Sequence, residues 1–131
     1  MYQKLIIVGY VGKDPEMRYT PQGQAVTNFS VATNRQYTKD GETVKQTVWF
    51  RVQTWGKRAE VCNQYLKKGS KVLVEGTLLA DEDGNPKIWK KQDGSPGVNF
   101  EVNAFEVRFL SSAEKSNGRG EPEPQEEDFQ F

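Results

Sequence analysis

Between Thr47 and Trp55 the stretch TVWFRVQTW keeps a strict two-residue alternation, and few folds can accept both of its faces. Side chains along a strand point to opposite sides in turn. One side carries Val48, Phe50 and Val52, an ordinary core-facing set. The other carries Thr47, Trp49, Arg51, Gln53 and Trp55. Such a strand must sit in a sheet with its apolar face covered. Its other face holds two indoles and a guanidinium, a mixture that water alone does not call for.

The rest of the chain supplies partners for that strand. Leu5, Ile6, Ile7 and Val8 form a continuous apolar run, which predicts a strand covered on both faces, in a small barrel by another subunit. DPEMRYTPQGQ reads as a loop, and AVTNFSVAT as the second strand. NRQYTKDGET places Asp40-Gly41 between two strand-like runs, a hairpin signal. KRAEVCNQYLKK is the one good helix, with Ala59, Cys62 and Leu66 on one face. Gly69 is expected at its C-terminus, where Lys67 and Lys68 complement the helix dipole. SKVLVEGTLL is a further strand, and the turn clusters DEDGNP and QDGSPG enclose KIWKK. In VNFEVNAFEVRFL the apolar parity switches after Ala104, which predicts a bulge or a twist near that residue. Three strands, a helix and two strands make an all-β chain with the layout of a five-stranded OB-fold barrel, the helix lying between strands 3 and 4. That fold binds oligonucleotides or oligosaccharides on one side of the barrel.

Charge divides the chain as the apolar pattern does. The net charge over all 131 residues is zero. Residues 1–112 carry 16 Lys and Arg against 12 Asp and Glu, a net +4, and residues 113–131 carry 2 against 6, a net −4. A basic body with an acidic tail suits a nucleic-acid-binding domain with a separate interaction segment. We therefore expect an OB domain over residues 1–110. Residues 111–131, rich in Gly, Pro, Ser and acid, are expected to form a disordered tail. That tail nevertheless ends in Phe129-Gln130-Phe131, and a purely solubilising segment has no use for two aromatics. The absence of histidine and the single cysteine, Cys62, argue against an enzyme, a metal site or a cofactor. No run is long enough to span a bilayer and no leader is evident, so the chain reads as cytoplasmic.

Unpaired nucleic acid would explain the unusual face of the 47–55 strand. Every base has a π face that can lie on an indole, and phosphates need cations nearby. Trp49 and Trp55 are the leading stacking candidates, with Arg51 and Lys57 on or beside the same stripe. Tyr37, between Arg35 and Lys39, and Trp89, flanked by Lys87, Lys90 and Lys91, repeat the cation–aromatic mixture. Lys68 could meet phosphate from the helix end. Plainer readings compete: Trp55 could pack under the helix, Tyr37 and Trp89 could cover a barrel mouth, and Lys67 and Lys68 could be helix-terminal charges. Three other functions are open on the residues alone: a protein-binding adaptor, an RNA-binding OB protein and, last, a nuclease.

Three segments together resemble the bacterial single-stranded DNA-binding proteins. They are LIIVGYVGKDPEMRYTPQGQAVTNFSVAT, VWFRVQTWGKRAEVCNQYLKKGSKVLVEG and the acidic tip EEDFQF. The resemblance implies an OB-fold domain assembled as a homotetramer, with single-stranded DNA wrapped around it without sequence preference. It makes Tyr37, Trp49 and Trp55 base-stacking residues, Arg51, Lys57 and Lys68 backbone cations, and Trp89 a looser match in an extended hairpin at 79–97. It also implies that the tip, Glu126, Glu127, Asp128, Phe129, Gln130 and Phe131, docks on replication, repair and recombination enzymes. Physically, Phe131 with its carboxylate suits an apolar pocket with a basic rim. The tip departs from the family pattern at Phe129 and Gln130, where an aliphatic residue and a proline usually stand.

Overall fold

The alternation at 47–55 belongs to one of two long strands that form the spine of the molecule. In the computed structural model, which describes residues 1–111, strand β3 (Ala25–Lys39) pairs along its whole length with β4 (Glu42–Trp55). Their turn is Asp40-Gly41, at φ 53° and 80°. Two successive positive φ values give the turn whose twist matches a hairpin, and Asp and Gly are residues that tolerate them.

A closed barrel is built on this hairpin. Strand β1 (Leu5–Val11) pairs antiparallel with β5 (Lys71–Leu78), and β5 pairs antiparallel with β8 (Phe100–Ser111). β8 runs parallel to β4, and β1 meets β3 at Tyr10 and Val11 to close the ring. The five long strands thus follow the order β1-β5-β8-β4-β3, returning to β1. The predicted bulge is present: the register steps from Glu75–Glu106 to Gly76–Ala104, leaving Phe105 as the extra residue. A second step near Lys71 leaves Leu110 out of the ladder.

The interior follows from the inward parity of each strand. Ile7 and Val11, Phe29 and Val31, Val52, Val72 and Val74, and Val102 and Ala104 are all buried in one cluster. Each buried valine contributes about 2 kcal/mol by leaving water. The helix α1 (Gly56–Tyr65) adds Cys62, with Leu66 just beyond its end. A hydroxyl ties α1 to the barrel: Thr27 Oγ1 donates to the Ala59 carbonyl at 2.7 Å. Burial pushes the Cys62 thiol up to about 11. It is therefore a small core residue with no thiolate at neutral pH.

Several sequence expectations need correction. Glu16–Tyr19, read as loop, is strand β2, paired with residues 25–28 of β3. Its prolines lie just outside the ladder at 15 and 21, so they do not break it. The helix stops at Tyr65, so Lys67, Lys68 and Gly69 stand in a following turn rather than at its C-terminus. That turn is held by its own bonds, Ser70 N–H to the Lys67 carbonyl and Lys67 N–H to Ser70 Oγ. Finally, Val98 is not in the last barrel strand. Strand β6 (Ile88–Lys90) pairs with β7 (Pro96–Val98) in a separate two-stranded ribbon. The predicted tail begins at residue 111, but Ser111 is the last residue of β8; residues 112–131, the tip included, lie outside the described residues.

Candidate nucleic-acid interface

The outward face of β4 is open. Trp49 is 52% exposed and Trp55 37%, whereas Val52, on the opposite parity, is fully buried. Arg51 lies between the two indoles and is exposed. Its neighbours are small or polar: Trp49 faces Ala32, Arg51 faces Ser30, and Gln53 faces Asn28 across the β3–β4 ladder. On the other side, Arg51 and Gln53 lie beside Glu101 and Asn103 of β8. The indoles are six positions apart, about 20 Å along an extended strand. The stripe is therefore long enough for several planar rings, not one small molecule.

Trp55 marks where the stripe meets the helix. It is the N-cap of α1, in extended conformation, and its side chain caps nothing. The first turn of the helix holds no acid. Instead it carries Lys57 and Arg58, both exposed. Arg58 lies 4.0 Å from Glu106 Oε1, and Lys57 beside the helix start leaves this end positive, a suitable place for an anion. Trp55, Lys57, Arg58, Val61, Val107 and Phe109 line an open groove of about 360 Å³, with Cys62 at its inner wall. Trp55 shares this groove with helix residues and keeps over a third of its surface open.

Lys68 is brought toward Trp49 by the backbone. Its N–H donates to Asp14 Oδ1 at 2.8 Å, and the next residue, Gly69, donates to the Val11 carbonyl at 2.8 Å. Gly12 follows Val11 and lies beneath the Trp49 ring. The two other aromatics stand apart. Tyr37 is 39% exposed, with the Arg35 guanidinium 5.1 Å from its ring centre. It pairs with Val44, so by strand parity it occupies the reverse side of the hairpin from Trp49. Trp89 is 46% exposed on the β6–β7 ribbon, outside the barrel sheet. Lys87, Lys90 and Lys91 are exposed around it.

Arg58, Val107 and Phe109 line the groove, although the sequence pattern does not point to them. Arg58 follows Lys57 directly, but only the fold shows that both reach the same groove as Trp55. Among the described residues, no group of three or more His, Cys, Asp and Glu side chains could hold a metal ion. No helix among them is long and apolar enough to cross a membrane.

Known proteins resemble this chain in sequence and in fold. A single-stranded DNA-binding protein of Wolinella succinogenes is 39% identical over 124 residues, covering 94% of this chain and 73% of its own length. One from Neisseria meningitidis serogroup B is 35% identical over 116 residues, or 88% of this chain, which spans 63% of that relative. The fold matches that of a solved chain described as Plasmodium falciparum SSB in complex with ssDNA. The TM-score is 0.70 at 24% identity, over 85% of this chain and 97% of that one. The model of the single-strand binding protein family matches residues 2–110. An OB barrel with an open indole stripe, matched to that model over nearly all the described residues, belongs to the single-strand binding protein family.

Proposed function

We propose that the protein binds single-stranded DNA without sequence preference, by stacking unpaired bases on Trp49 and Trp55. The observation that carries this reading is the exposure of both indoles on one face of β4, with Arg51 between them. Stacking on such rings stabilises by about 1–3 kcal/mol per base, a figure general to single-strand-binding OB-folds, and it is indifferent to base identity. Arg51, Lys57 and Lys68 meet the phosphates, and the positive start of α1 adds to them. Tyr37 and Trp89 extend the path beyond the barrel stripe, one on the reverse of the β3–β4 arm and one on the ribbon. Duplex DNA gains little from such a surface, because its bases are already stacked. The protein acts by binding and protecting the strand and performs no chemistry on it.

Residues 1–110 form the DNA-binding unit in this reading. Residues 111–131 form an acidic tail whose tip, Glu126 to Phe131, recruits replication, repair and recombination enzymes in the cytoplasm, at the nucleoid. The domain assembles as a homotetramer through β1. In support, Ile6 is 59% exposed on the outward face of that strand, although Ile7 beside it is buried. Gel shifts with labelled oligo-dT and a matched duplex test the reading. A shift by oligo-dT alone supports it. Equal shifts, or none, contradict it.

A further inference from the structure

Two of the indoles rest on glycine. A Cβ placed on Gly12 would run into Cζ3 of Trp49 and lie 2.8 Å from Cη2. A Cβ placed on Gly97 would lie 2.7 Å from Cε2, 2.8 Å from Cζ2 and 3.1 Å from Nε1 of Trp89. Side-chain carbons do not approach rings so closely, so glycine is the residue that admits each indole. The two places are otherwise unrelated. Gly12 follows β1 and is fixed by its N–H, which donates to the Ser30 carbonyl at 3.0 Å. Gly97 is the middle residue of β7, opposite Trp89 in the ribbon, and is buried although its neighbours are exposed. In both cases the ring lies against backbone yet keeps about half its surface open, 52% for Trp49 and 46% for Trp89.

We propose that Gly12 and Gly97 are positioning residues of the base-stacking site, each a seat that holds one indole against the backbone with its remaining surface turned to the ligand. The inference rests on the single-strand-binding reading above and deepens it. A large side chain on an open surface samples several rotamers, and ordering it on binding costs affinity. A seat removes that cost beforehand. It also brings Trp89 into the same design as Trp49, although the two lie in different sheets. The competing explanation is that these glycines serve only to pack the fold.

A pair of double-mutant cycles separates the two. Affinity for a labelled oligo-dT is measured by anisotropy for the full chain and for Gly12→Ala, Trp49→Ala and their combination. The same is done for Gly97→Ala, Trp89→Ala and theirs. Each glycine substitution should weaken binding about fivefold, the low end of one stacking contact. In the corresponding Trp→Ala background the same substitution should change affinity less than about twofold, because no ring is left to seat. A glycine substitution that costs the same with and without its tryptophan, or nothing when the tryptophan is present, overturns the proposal. If circular dichroism shows that Gly12→Ala does not fold, the Gly97 cycle decides, since that ribbon is separate from the barrel sheet. Failure of the unaltered chain to bind oligo-dT overturns the functional reading itself, an outcome distinct from failure of the seats.

Discussion

Trp49 shows how much a single position can disclose. Its parity relative to Val48, Phe50 and Val52 places it outside the core, and the structure leaves it half open. Trp49→Ala should weaken oligo-dT binding by about 1–3 kcal/mol while leaving the melting temperature nearly unchanged, as titration and calorimetry would show. Tyr37 was equally legible but needed one more step. A two-residue turn at Asp40-Gly41 sets Lys39 against Glu42, hence Tyr37 against Val44, on the parity opposite to Trp49. Alternation within each strand does not reveal this; the register of the hairpin does. Arg58 and Phe109 were not legible, because the groove they share joins residues about fifty positions apart. Cys62 gives a prediction of a different kind. Its thiol is raised to about 11 by burial, so the reactive thiolate is scarce at pH 8. A thiol reagent at that pH should leave the folded protein unmodified and label it fully in denaturant; rapid labelling of the native chain would contradict this placement.

At the scale of elements, long periodic strands are legible in the sequence and short ones are not. β3, β4, β5 and β8 each have an alternating inward set, and the parity switch after Ala104 announced the bulge at Phe105. β2, β6 and β7 have three or four residues each, too few for a period to show, and they are flanked or begun by proline. Such strands exist because a neighbour offers a ladder, a tertiary cause invisible in local sequence. The helix end was misplaced because Gly69 and two lysines mimic a C-terminal signal, while the chain leaves the helical conformation at Leu66. β1 is read correctly on its inner face, and its importance can be measured. Ile7 is buried in the core cluster, so Ile7→Ala should cost about 2–5 kcal/mol in denaturant unfolding. The neighbouring Ile6→Ala should cost far less in the isolated subunit, because its side chain is open there. Equal losses for the two would show that the strand faces are not as assigned.

Across the whole molecule, charge is distributed unevenly, and the proposed division of work follows it. The body carries net +4 over residues 1–112 and the tail −4 over residues 113–131, which zero net charge conceals. If Arg51, Lys57, Arg58 and Lys68 each neutralise one phosphate, log affinity for single strands should fall against log salt with a slope of about −3 per subunit. A flat dependence would remove phosphate binding from the account. Deleting residues 126–131 should leave oligo-dT affinity intact and abolish capture of partner enzymes; loss of both together would undo the proposed separation of body and tip. The central claim, that bases lie on open indoles, is tested most directly by tryptophan emission during titration with oligo-dT. The account predicts saturable quenching by the single strand, a smaller amplitude for Trp49→Phe, and little response to duplex. Emission that stays constant through stoichiometric oligo-dT, while an independent assay shows the DNA bound, would contradict it.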